Sequence, residues 1–281
     1  MRGFPNIPGY ELLRPLGGGP LTCVYSAHDD ATGSPCAVKV LRAEWHQDPT
    51  AIKLLQREAR AGLAVRHPHL VRLRHVHVTR PPYFLVMDLL PGESLRRRLR
   101  RDYRVDLPTA LWVARQTAEA LAALHRSGYL HADVKPDNIR LVDAGTAVLI
   151  DLGFAHRPGE NAHLRRQGYI LGTVNYLAPE LCALEPDNDF RSDLFSLGVT
   201  LFEMLTGRLP YPVGPTEQTL RRHQSEPPLD IRSHAGPLPP GLASLVDRLL
   251  QRRPMDRPRA AAAVQQLIAL EIAALRRRRS A

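Results

Sequence analysis

The chain has 281 residues, 44% of them hydrophobic, enough for one large or two small packed cores and too many for wholesale disorder. Its three cysteines, Cys23, Cys36 and Cys182, are odd in number and show no C-x-x-C spacing, which argues against a disulfide framework or a zinc site and suits a reducing cytoplasm. Net charge is +10, yet only Lys39, Lys53 and Lys135 are lysines among 38 basic residues; so general an arginine bias favours solvated faces, and no nucleic acid is expected as a partner. No apolar run approaches the roughly 20 residues of a bilayer span, and the N-terminus lacks a signal-peptide apolar region.

Tyr10 to Leu16 is apolar-rich and reads as a strand, Gly17-Gly18-Gly19-Pro20 as a turn, and Leu21 to Ala27 as a returning strand. Glycines in such a turn let backbone N–H groups approach a phosphate closely. Thr32 to Pro35 turns into a third strand, Cys36 to Leu41, which carries Lys39. Ala51 to Val65 reads as a helix carrying Glu58 and stopping before His67-Pro68. Tyr83 to Met87 is another strand, followed by Asp88-Leu89-Leu90-Pro91-Gly92 as a linker. Arg96 to Arg101 is basic and helical, a solvated face or, alternatively, a docking site for an acidic substrate. Leu107 to Arg126 carries apolar residues at 107, 111, 114, 118, 121 and 124, a helical stripe.

The densest chemistry lies in His131-Ala132-Asp133-Val134-Lys135-Pro136-Asp137-Asn138, with Asp151-Leu152-Gly153 beyond it. Asp133 could accept a hydroxyl proton and Lys135 could hold a transferring phosphoryl charge. Asn138 and Asp151 could share Mg²⁺ through hard oxygen ligands. Ile139 to Val142 and Ala147 to Ile150 read as two strands turning at Asp143-Ala144-Gly145, a hairpin that folds Asp151 back over Asn138. Farther on, Arg191 to Thr206 is a long apolar helix opened by Asp193, residues 208 to 240 are proline-rich and loop-like, and Leu242 to Leu250 and Arg259 to Leu275 are helices. Arg276–Arg279 ends the chain as a cationic helix end favourable to the helix dipole; its alternative is peripheral contact with anionic lipid at about 1 kcal/mol per charge.

The joined pattern of His131, Asp133, Lys135, Pro136 and Asn138 followed by Asp151 and Gly153 resembles the catalytic and metal-binding loops of protein kinases, with Lys135 in the serine/threonine form. Other stretches fit the same family. Gly17, Gly19 and Val24 resemble its glycine-rich loop, although Thr22 stands at the third glycine, and Ala37-Val38-Lys39 resembles its lysine strand. Gly172-Thr173 to Ala178-Pro179-Glu180 resembles the substrate-facing end of the activation segment, and Asp193 to Gly198 resembles D-x-W-x-x-G with Phe195 for tryptophan.

The resemblance spans about residues 10 to 275 and is to the bacterial, eukaryotic-like serine/threonine type. It implies a single α+β domain over 1–281 with the bilobal kinase fold. An antiparallel β-sheet N-lobe with one main helix (about 10–87) leads through a hinge (about 88–92) to a mainly helical C-lobe (about 93–275) and a basic tail, 276–281. It implies ATP with Mg²⁺, Mn²⁺ being the alternative, and protein substrates. Gly17, Gly18, Gly19, Val24, Ala37, Met87, Asp88 and Leu90 would surround the nucleotide, and Lys39, aligned by Glu58, would reach the α/β-phosphates. Thr173 would meet Asp133 and Lys135, Glu180 would pair with Arg257, and Asp193 would cap the catalytic loop. Ala132 replaces the arginine that normally binds an activation-segment phosphate, and no Ser or Thr lies between Asp151 and Gly172, Tyr169 being the only hydroxyl. Both absences predict activity without that phosphorylation. The alternative is a pseudokinase that binds nucleotide or scaffolds a partner; Thr22, Gly62, Ala132 and Arg140 depart from the family pattern in its favour, and the complete catalytic set opposes it.

Overall fold

The computed structural model describes residues 3–142, 145–160, 170–182, 189–239 and 241–279, with side chains to residue 276. The chain divides into two compact units, residues 1–67 with 71–91 and residues 68–70 with 92–281.

In the first unit β1 (Tyr10–Gly18), β2 (Thr22–Asp29), β3 (Pro35–Leu41), β4 (Leu73–His77) and β5 (Phe84–Asp88) form an antiparallel sheet ordered β1-β2-β3-β5-β4. Successive side chains alternate between its faces. Cys36, Val38, Val40, Phe84 and Val86 pack with Ile7 and Ala27. Leu41, Leu73 and Leu85 pack with Ala51, Leu55 and Ala59 of α1 (Pro49–Ala64). The Asp48 carboxylate accepts from the Thr50 and Ala51 amides and Pro49 takes the first helical position, so the helix start is capped twice over. Asp88 belongs to β5 rather than to the linker. It pairs with Cys36, its amide donates to the Arg72 carbonyl at 3.1 Å, and its carboxylate holds Arg74 at 2.5 Å.

The second unit contains a small sheet of β6 (Glu93–Ser94), β7 (Ile139–Leu141) and β8 (Ala147–Leu149). Residues 68–70 join this unit because Leu70 bridges to Leu149 and the His69 ring bonds the Ala147 carbonyl at 2.9 Å. Then come α2 (Leu95–Asp102), α3 (Leu107–Arg126), α4 (Pro179–Cys182), α5 (Arg191–Thr206), α6 (Thr216–Ser225), α7 (Leu242–Leu249) and α8 (Ala260–Arg279). Helix α5 is buried along nearly its whole length. It must carry glycine at 198, where an added Cβ would lie 2.7 Å from the Leu249 Cβ of α7.

One further expectation needs correction. Residues 208–240 are not all loop, since Thr216 to Ser225 forms α6. That helix has a single large apolar residue, Leu220, and buries Thr219 and His223 instead, so it shows no apolar stripe to read. The last helix runs on from Leu275 to Arg279, the cationic helix end expected there, because arginine is a good helix former and cations favour a helix C-terminus. Residues 280 and 281 of the expected tail, and the turn residues Asp143 and Ala144, lie outside the described residues. Among the described residues no helix is long and apolar enough to cross a membrane.

Arg257 ties α4, α5 and the α7–α8 connection together. Its side chain is fully buried and its five N–H groups meet five acceptors: both Glu180 oxygens at 2.7 Å and the carbonyls of Arg191, Gln251 and Arg252. The guanidinium also lies 5.0 Å over the Phe195 ring, and Glu180 accepts from Ser192 at 2.6 Å. A buried carboxylate stripped of its partner costs about 3–5 kcal/mol, whereas an apolar pair of similar volume costs much less. We therefore expect Arg257→Met to lose about that much stability in urea unfolding, and Arg257→Met with Glu180→Met to recover most of it.

Candidate active site

The candidate residues form two groups, one in each unit. In the first, strand register puts Val24 opposite Lys39 and Ala37 opposite Met87, so all four share one face of the sheet. Lys39 and Glu58 are buried, and the Lys39 Nζ donates to both Glu58 oxygens at 2.8 Å. Two converging oxygens fix the ammonium on a long flexible stem. Gly17 pairs with Val24 and Gly18 with Cys23 at the end of the β1–β2 hairpin. Gly18 is sterically required, because an added Cβ would sit 2.6 Å from the Thr22 carbonyl oxygen; at Gly17 and Gly19 it would meet nothing within 4 Å. Those two positions leave space beside the backbone, as a phosphate cradle needs. Leu90 lies beyond β5 in irregular chain.

The second group centres on Asp133, which is buried. Its Oδ2 accepts from Lys135 Nζ at 2.7 Å and from Asn138 Nδ2 at 2.9 Å. Its Oδ1 accepts from the Thr173 hydroxyl at 2.7 Å, and that oxygen accepts from Lys135 at 2.5 Å. Three donors from the loop and from the segment after Gly172 thus hold one carboxylate. Gly172 adopts φ +105°, and a Cβ there would strike the Ala132 carbonyl oxygen at 2.7 Å, so glycine is what lets Thr173 come this close.

The expected hairpin is present. Ile139 pairs with Leu149, Val142 N donates to Thr146 O at 2.8 Å, and Ile150 N donates to Asn138 O at 2.8 Å. Gln116 of α3 clamps its turn, donating to the Gly145 carbonyl at 2.8 Å and accepting from the Ala147 amide at 2.7 Å. Asp151 is thereby brought back beside Asn138. The Asn138 amide nitrogen is committed to Asp133, which turns its carbonyl oxygen to the other side. A carbonyl and a carboxylate oxygen are the hard donors that suit Mg²⁺, an ion that usually takes only one or two protein ligands and completes its shell with phosphate and water. The residues present fit that ion.

Asp193 shapes the loop. It is fully buried; its Oδ2 accepts from His131 N at 2.9 Å and His125 Nε2 at 2.8 Å, and its Oδ1 from Ala132 N at 2.8 Å. These bonds hold Ala132 at φ +64°, a region that costs a non-glycine residue roughly 1–2 kcal/mol. Burial pushes the Asp193 carboxyl up, but the hydrogen bond and charge of His125, with His131, outweigh it and hold the carboxyl below the usual carboxylate range. His131 is fixed as a tautomer. The Asp133 amide must donate to Nδ1, at 3.3 Å, so Nε2 carries the proton and donates to the Ile150 carbonyl at 3.2 Å. Asp151 also takes φ +64°, and its Oδ1 accepts from Gly153 N at 3.2 Å.

Several residues escaped the sequence reading. Arg96 was expected on a solvated face. Instead it donates to Asp137, between Lys135 and Asn138, at 3.1 Å, to Glu203 of α5 at 2.5 Å, and to the Tyr176 hydroxyl. Burial and the Glu203 charge push the Tyr176 phenol well up, so it stays protonated and donates to Glu203 at 2.5 Å. The available signal was helical phase, since Arg96 follows the buried Leu95 and lies three residues before the buried Leu99. His223 of α6 bonds the Leu177 carbonyl at 2.7 Å through Nδ1, and burial lowers its pKa. Nothing in the sequence around a polar helix marked it. Arg140 donates to the Gly92 carbonyl at 2.6 Å. Tyr169 lies outside the described residues.

Asp193→Asn tests the loop's tether. It keeps the shape, removes the charge, and should cost about 2–3 kcal/mol at pH 7, as charge-assisted hydrogen bonds do. Because the folded-state pKa lies below the unfolded value of about 3.9, the stabilisation is complete above that value and is lost as pH falls through the folded pKa. Urea unfolding should therefore show the gap between wild type and variant narrowing below about pH 4.

The model of the protein kinase domain matches residues 10–268. The serine/threonine-protein kinase pkn2 of Myxococcus xanthus is 35% identical over 279 residues, covering 95% of this chain and 33% of that protein. PknA, a serine/threonine-protein kinase of Mycobacterium tuberculosis, is 33% identical over 255 residues, 89% of this chain and 58% of its own length. A probable serine/threonine-protein kinase of Bifidobacterium longum, pknA2, is 30% identical over 267 residues, 92% of this chain and 35% of its own length. The chain thus spans between a third and three-fifths of these relatives. With a match over most of its length, and with the motif residues assembled as described, the chain belongs to the protein kinase domain family.

Proposed function

We propose that this domain is a serine/threonine protein kinase that transfers the γ-phosphoryl group of MgATP to hydroxyls of protein substrates. The observation that carries the reading is the Asp133 carboxylate held by Lys135, Thr173 and Asn138 at 2.7–2.9 Å. With those donors on its two oxygens, the carboxylate is oriented to take the proton of an incoming hydroxyl. The substrate oxygen then bonds to the γ-phosphorus, the bond from phosphorus to the β,γ-bridging oxygen breaks, and ADP leaves with that electron pair. Lys135 has three ammonium hydrogens, and two are spent on Asp133 and Thr173. The third serves the transferring phosphoryl charge. Lys39, aligned by Glu58, serves the α/β-phosphates, and Asn138 and Asp151 would hold Mg²⁺, which would neutralise phosphate charge. Most of the acceleration comes from positioning and fixed charge.

Activity in this reading needs no activation-segment phosphate. Ala132 offers no cation for one, and the loop is already tied to Asp193 through His131 and Ala132. We place the domain in the cytoplasm, where ATP is found.

The test is transfer of labelled γ-phosphate from MgATP to the chain itself and to a generic basic protein, with Asp133→Asn alongside. We expect label on Ser or Thr that falls at least 100-fold in the variant, the scale of general-base catalysis. No label from the wild type, combined with nucleotide-dependent thermal stabilisation, would replace the kinase by a nucleotide-binding module.

A further inference from the structure

The hairpin that should cover the ATP phosphates lacks two things expected of it. Thr22 stands where a third glycine is expected, and Pro20 has no N–H to offer an anion. The tip is nonetheless closely held. Gly19 N donates to Thr22 O at 3.0 Å, closing the turn. The next three carbonyls in sequence are all taken by one short segment after β3. Gly19 O accepts from Arg42 Nε at 3.2 Å, Pro20 O from the Trp45 indole Nε1 at 3.1 Å, and Leu21 O from the Arg42 amide at 2.9 Å. The segment is itself a turn of 3-10 helix, Ala43–Trp45, with Trp45 N donating to Arg42 O at 3.0 Å. The Trp45 ring and the Leu21 side chain both rest on the cluster of Leu41, Ala51 and Leu55 that joins the sheet to α1.

In a trans peptide the C=O fixes the direction of the following N–H. Holding Pro20 O and Leu21 O therefore sets the directions of the Leu21 and Thr22 amides, the two N–H groups the tip has left between Pro20 and Cys23. Arg42 is exposed, so its side-chain bond is screened by water; the half-buried indole is the stronger anchor.

We propose that Trp45 is a positioning residue for the nucleotide phosphates, pinning the glycine-rich turn so that the Leu21 and Thr22 amides are preset for an anion. This rests on the kinase reading above. Preorganisation lowers the ordering cost that a freely moving turn would meet on binding, and here it takes the place of the missing third glycine. The same ring sits on the core of α1, so the turn over the phosphates and the helix carrying Glu58 share one anchor.

The chain has two tryptophans, so Trp112→Phe leaves Trp45 as the only indole reporter without altering the pin. In that background MgADP should change the Trp45 emission saturably, and adenosine, which has no phosphate, should not. Trp45→Phe keeps the ring's packing and removes the N–H. Calorimetry should show its Kd for MgADP weakened about three- to tenfold, the range for one hydrogen bond, with the Kd for adenosine within about twofold of wild type. The KM for ATP should rise by the same factor at unchanged kcat. Equal MgADP affinity in Trp45→Phe and wild type, or silent Trp45 emission on saturation, would overturn the pin while leaving the kinase reading intact. Parallel losses for MgADP and adenosine would make Trp45 a packing residue only. A wild type that binds no MgADP would sink the kinase reading and the pin with it.

Discussion

Asp193 lies in the first turn of α5 with both carboxylate oxygens turned onto the loop that carries Asp133. A buried charge of this kind is tolerated only when fully bonded, and the amides of His131 and Ala132 with the His125 ring meet that need. The loop pays for its shape in backbone strain at Ala132, and the carboxylate is what holds it there. The candidate residues of the second unit are arranged from that fixed point. The His131 ring turns toward Ile150, the Ile150 amide reaches back to Asn138, and Asp151 comes next in the chain. Where α5 leads, Glu203 reaches Arg96 and Tyr176, so one helix orders both the loop and the segment expected to face substrate.

Much of this was readable from residue types at fixed spacing. Asp133, Lys135 and Asn138 form one cluster because they are neighbours in sequence on a tight loop, and the β7–β8 hairpin that returns Asp151 shows as two short apolar runs around Gly145. Glu180 and Arg257 lie 77 residues apart, yet each sat in a local motif that announced its partner. The same holds for Lys39 and Glu58 within the first unit. Helices with a clear apolar stripe, such as Leu107–Arg126, were legible to the residue.

What escaped has a common cause. Arg96, His223 and Trp45 act through polar contacts to carbonyls or carboxylates brought in by the fold, and such partners leave no periodicity. A charge run reads as solvated because most charge runs are, and Arg97 and Arg100 in this one are indeed exposed; only helical phase separates Arg96 from them. Helix α6 was hidden because it buries a threonine and a histidine where a stripe of leucines would have shown. The departures from the family pattern also make more sense once folded. Arg140 spends its head on the Gly92 carbonyl, and Pro20 and Thr22 sit in a turn whose carbonyls are all bonded.

A loop held by Asp193, with no cation at Ala132 to receive a phosphate, should work from the moment the chain folds. The measurement that tests this most directly is the initial rate of γ-phosphate transfer to a protein substrate, using chain stripped by phosphatase and shown phosphate-free by intact mass. We expect product that rises linearly from the first time point, at a rate proportional to enzyme. A lag that shortens with enzyme concentration and disappears after incubation with MgATP, together with a new phosphate on Thr173 or Tyr169, would contradict it.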